Sequence, residues 1–181
     1  LTVFLFSGFW QYWQYFFWSP TVEAAWTTSK VDLVAILVDD AVYGWIKWDL
    51  DRYTNTYIPK NAPGTKSLVI PLSAQWFYPP DIQKLLANLY HEWQKWVSSQ
   101  LVWVIIFWEL PLPIVDLKWK RIKSIYPYVD FEEPMFRYDP VSDVFVSNWH
   151  AESLPELRHS IIPTNDVWLF SKFFSKLKEY D

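Results

Sequence analysis

The stretch Val31-Asp32-Leu33-Val34-Ala35-Ile36-Leu37-Val38 constrains the fold more than any other part of this chain. It is almost continuously apolar and closes on Asp39-Asp40. A strand with one wet face alternates apolar and polar residues, whereas an unbroken run marks a strand covered on both faces, as in a parallel sheet. The segments that follow fit that sheet. Ile46, Leu50, Tyr53 and Tyr57 form a helical stripe, with Asp49, Asp51 and Arg52 facing away. Pro63-Gly64 makes a turn, and Lys66 to Leu72 reads as a second buried strand. Pro79-Pro80-Asp81 opens a helix whose apolar face is Ile82, Leu85, Leu86, Leu89 and Tyr90 and which is expected to end at His91-Glu92. Leu101 to Phe107 is a third strand. This alternation predicts an α/β fold of three layers, with a mostly parallel sheet of about four to six strands and helices on both faces.

After Pro111-Leu112-Pro113 the pattern weakens. Ile125 to Phe131 reads as an aromatic loop or short strand, and Glu132 to Asn148 as loop with a turn at Asp139-Pro140. Glu156 to Ile162 is a fourth strand ending at Pro163. Thr164-Asn165-Asp166 starts a last helix with Phe170, Phe173, Phe174 and Leu177 on its apolar face. With 181 residues, 51% of them hydrophobic and 20% charged, the chain holds one domain with a real core. That domain spans 30–181 and is expected to be incomplete at its C-terminus. Residues 1–29 read as an N-terminal arm. Its first nine residues are almost wholly apolar and a small-residue stretch, Glu23-Ala24-Ala25, follows, so the arm is either a plain extension or the remnant of an export signal. Export or a cell-surface location follows from the second alternative. The apolar stretch is too short for a membrane span. The first residue is Leu1, which reads as a fragment or a processed form.

One pair of counts is out of proportion: 14 Trp and 3 Gly. At the usual glycine share of ~7% a chain this long carries about 13, so the glycine deficit is about ten and the tryptophan excess is of similar size. The positions agree with the counts. Trp93 follows the expected helix end, where a left-handed residue, normally Gly, belongs. Trp119 lies in the polar turn Lys118-Trp119-Lys120, Trp149 follows Asn148, and Trp45 follows Gly44 at a strand-to-helix connection. Trp10, Trp13 and Trp18 punctuate an aromatic segment at glycine-like intervals. Both anomalies have one source if UGA codons, decoded as glycine in some bacterial lineages, stand translated as Trp in a metagenomic gene. The alternative is a genuinely Trp-rich protein whose aromatics stack on sugars or fill a core. Under the codon reading Trp93, Trp119 and Trp149 lie exposed at turns.

The chemistry-bearing residues are few. Lys plus Arg is 16 against 20 for Asp plus Glu, a net charge of −4, which disfavours a nucleic-acid-binding face. Zero cysteines exclude a disulfide scaffold, a thiolate metal site and a cysteine nucleophile within these residues. His91, at a helix end, His150 and His159 form no metal cluster and no nucleophile–base pair, and each reads as structural. Residues 38–48 lack the glycine spacing of a phosphate loop, so no cofactor is expected. Lys118 to Lys123 is a solvated basic run. Asp39 and Asp40, past the end of the first strand, and Glu109, past the third, are the candidate site, because open parallel sheets bind ligands at that edge. Their other reading is as ordinary turn and helix-start residues.

With Trp read as Gly, Leu101 to Pro113 becomes Leu-Val-Gly-Val-Ile-Ile-Phe-Gly-Glu-Leu-Pro-Leu-Pro, which resembles the strand and turn of gingipain-type cysteine peptidases. Tyr126-Pro127-Tyr128-Val129-Asp130 resembles the tyrosine- and aspartate-containing segment that comes next in that family. Ile161-Ile162-Pro163 and the helix Asp166–Lys178 stand where the family has a strand ending in an Arg-Ile-Pro-like turn and a helix. The likeness runs from about Val31 to the end and lies in order and pattern rather than in one motif. It implies a flavodoxin-like or caspase-like half-domain, a catalytic His-Gly and Cys later in the polypeptide, and a missing C-terminal half as partner. No catalytic residue carries over to this chain. The function so implied is the non-catalytic N-terminal half of an exported cysteine peptidase domain, or a degenerate relative. A surface or carbohydrate-binding protein with exposed aromatics is the alternative.

Overall fold

A computed structural model describes residues 31–73, 77–96, 99–107, 110–148, 155–162, 164 and 166–179, with the backbone alone for 92–96 and 178–179. Strand β1 (Val31–Asp39) leads into helix α1 (Asp40–Arg52), which continues through a π-helical segment, Tyr53–Tyr57, into the short helix α2 (Ile58–Asn61). Strand β2 (Lys66–Leu72), helix α3 (Pro79–Trp96) and strand β3 (Ser99–Phe107) follow. Four short strands come next: β4 (Ile114–Asp116), β5 (Arg121–Lys123), β6 (Phe136–Asp139) and β7 (Val144–Ser147). Strand β8 (Arg158–Ile162) and helix α4 (Val167–Glu179) close the described chain.

The larger sheet has the order β2-β1-β3-β8 and every pair in it is parallel. The chain leaves β1 in one direction to reach β2 and returns across it to reach β3. Parallel crossovers share a right hand, so the two connections fall on opposite faces. The core shows this directly. Leu33, Ala35 and Leu37 pack with Ile82, Leu86 and Leu89 of α3. Val34, Ile36 and Val38 pack with Val42, Ile46 and Leu50 of α1 and with Phe170 and Phe174 of α4. Successive side chains of β1 thus enter different layers, which is why its sequence is apolar without alternation. Each Val, Leu or Ile among them contributes about 1.5–3 kcal/mol when fully buried. The fold is α/β, mostly parallel and three-layered, as the residue pattern predicts.

The turn at Pro63-Gly64 is real, and Gly64 there has φ +85°, a conformation that disfavours a Cβ. Two expectations about the helices need correction. Helix α3 does not end at Glu92 but runs to Trp96, so His91 lies inside it and not at its end. No Gly or Pro stands between Glu92 and Trp96 to stop it. Trp45 likewise sits within α1 and not at a connection.

The region after Pro113 is not mainly loop. It forms a second sheet of order β5-β4-β7-β6, antiparallel at β4–β5 and β6–β7 and parallel at β4–β7. Val115, Phe136 and Phe145 make its small core. The basic run Lys118 to Lys123 is a hairpin: Leu117 N–H donates to the Lys120 carbonyl at 3.0 Å, and Lys118 carries a positive φ of 72°. At the β6–β7 turn the Asp139 carboxylate accepts from the Val141 N–H at 3.0 Å and from the Ser142 hydroxyl, and these bonds hold its carboxyl below the usual Asp range.

Candidate functional site

Because the connections from β1 and β3 diverge to opposite sides, a crevice is expected between the C-terminal ends of these strands, the usual ligand position in an open parallel sheet. The structure places Asp39 there, 5% exposed, in register with Leu72 of β2. Its carboxylate accepts the Ala41 N–H at 2.8 Å, with the extended backbone (φ −63°, ψ 131°) of a helix N-cap. Asp40 is exposed in the first turn of α1, where the helix dipole favours a negative charge. Glu109 lies outside the described residues. The first two candidates therefore have helix-start geometry, and nothing described brings them together around a reacting atom. Asp39→Ala should cost about 0.5–2 kcal/mol in urea unfolding, and Asp39→Asn should leave stability close to wild type. A large loss in Asn as well would show that the charge itself has a further task.

The two described histidines lie on different elements. His91 is exposed on α3 beside Tyr90, at 5.1 Å between ring centres, and His159 is exposed on β8 in register with Val104. His150 lies outside the described residues. Among the described residues no group of His, Asp and Glu is arranged to hold a metal ion, and no helix is long and apolar enough to cross a membrane.

The side chains that do converge are ones the sequence did not single out as a site. The segment 128–135 lies against α3 and is fixed by carboxylates. Glu156 accepts from the Phe131 N–H at 2.8 Å and the Glu132 N–H at 3.3 Å, and buried Asp130 accepts from the Met135 N–H at 2.7 Å. Tyr90 donates its hydroxyl to Glu132 at 3.0 Å. The fully buried Tyr128 donates to the Pro111 carbonyl. Burial raises the Tyr126 phenol above its ordinary range, and the charges of Asp130 and Glu156 add to the rise. These carboxylates accept backbone N–H groups and so anchor a segment. Only long-range pairing assembles it, as the Leu157 N–H bond to the Val129 carbonyl at 3.2 Å shows, so no local spacing announces it.

Five tryptophans have described side chains, and four of them are exposed. Trp45 and Trp48 on α1 are 77% and 78% exposed, Trp119 at the hairpin turn is 84% exposed, and Trp168 on α4 is 58% exposed with the Lys172 ammonium 3.6 Å from its ring centre. Trp103 on β3 is partly buried, and its indole N–H finds no acceptor among the described residues. An orphaned buried donor costs about 1–3 kcal/mol. No tryptophan with a described side chain is fully buried in the core. Trp119 is exposed at a turn as expected, although the left-handed residue there is its neighbour Lys118. Trp93 lies within α3 and its side chain is outside the description, as is the whole of Trp149.

Compared with family models, curated proteins and solved structures, the chain matches none.

Proposed function

We propose that this chain is the non-catalytic sheet-and-helix part of an exported gingipain-like or caspase-like cysteine peptidase-family protein. On this reading, many of its tryptophans are glycines in the native protein. The supporting observation is the parallel pairing of β8 with β3, Trp103 to Phe107 against Arg158 to Ile162, followed by helix α4. That pairing joins two of the three segments on which the sequence resemblance rests. The tryptophan environments support the second half of the proposal, since a protein that uses Trp structurally buries the ring and satisfies its N–H. The chemistry would be a His-assisted Cys thiolate attacking a peptide carbonyl, with both groups outside these 181 residues. This chain then supplies scaffold. Peptide hydrolysis by the isolated chain should be at background for Arg-, Lys- and Asp-containing peptides alike, and turnover that survives repurification would contradict the proposal.

The four tryptophans exposed among the described residues favour a second reading, a surface protein that stacks aromatics on sugar rings. Glycan binding by the chain as written, lost when Trp45, Trp48, Trp119 and Trp168 are replaced by Gly, would favour it if peptides from the native source carry Trp at these positions.

A further inference from the structure

We draw no further inference here: the strongest candidate, the groove between the π-helical segment Tyr53–Tyr57 and helix α4, walled by Arg52, Thr56, Phe174 and Leu177, carries nothing because nothing in the structure shows what covers it.

Discussion

Phe107→Ala should destabilise the domain by about 3–5 kcal/mol, a large share of the ~5–15 kcal/mol that holds a typical domain together. Phe107 ends β3 and is fully buried. Its ring lies 5.7 Å from Phe170, 5.8 Å from Phe174 and 6.4 Å from Phe173, all on α4. Truncation removes the side chain against which the helix is seated and leaves a cavity that its neighbours fill only in part. Urea unfolding should show the loss in midpoint, and amide exchange should show α4 opening before the sheet. A cost below about 1 kcal/mol would mean that α4 is not held by this cluster.

Tyr128→Phe should cost about 1–3 kcal/mol although it removes a single oxygen, because it leaves the Pro111 carbonyl without the hydroxyl that it accepts from. Tyr128→Ala should cost more, about 3–5 kcal/mol, through the added cavity. The same tyrosine gives a pH dependence. Burial pushes its phenol well above the ordinary value of 10.0, and the charge of Asp81 adds to the shift. The neutral form is thus favoured in the folded state. Its contribution is fully present below about pH 10 and is lost as pH rises further, by ~1.4 kcal/mol per unit, because only the unfolded chain ionises freely there. Tyr53, raised mainly by burial, adds in the same direction. Tyr128→Phe should therefore flatten the alkaline fall in stability; an unchanged slope would show that other groups govern it.

The parts of the fold legible in the sequence are those whose burial is dictated by short-range pattern. Lys66 to Leu72 is the second strand to the residue, and Val31 to Val38 lacks only Asp39. Both are bounded by turn or cap residues and are largely apolar without alternation, as strands of a covered parallel sheet are. The second sheet is illegible for the opposite reason. Ile114–Asp116 and Arg121–Lys123 have three residues each, too few for a period, and the first is joined to the rest of its sheet by pairing such as Val115 with Phe145, thirty residues on. The π-helical segment Tyr53–Tyr57 also has no local signature; its tyrosines fit the helical stripe that continues α1. At the candidate site, position is legible and role stands between two readings, a ligand-binding edge and a helix start. Asp39 does stand at the sheet's C-terminal edge, yet the same residue type in the same place serves as a helix cap. The Asp130–Glu156 anchor depends on which backbone N–H groups the tertiary fold presents, and no spacing encodes that.

The nucleotide sequence of the locus, read from upstream of Leu1 to well beyond Asp181, tests the central claim most directly. The account predicts UGA at most of the 14 Trp positions and a reading frame that continues into a His-Gly and a Cys. UGG codons with a natural stop after Asp181 would contradict it, and the tryptophans would then be native parts of an aromatic-rich binding domain.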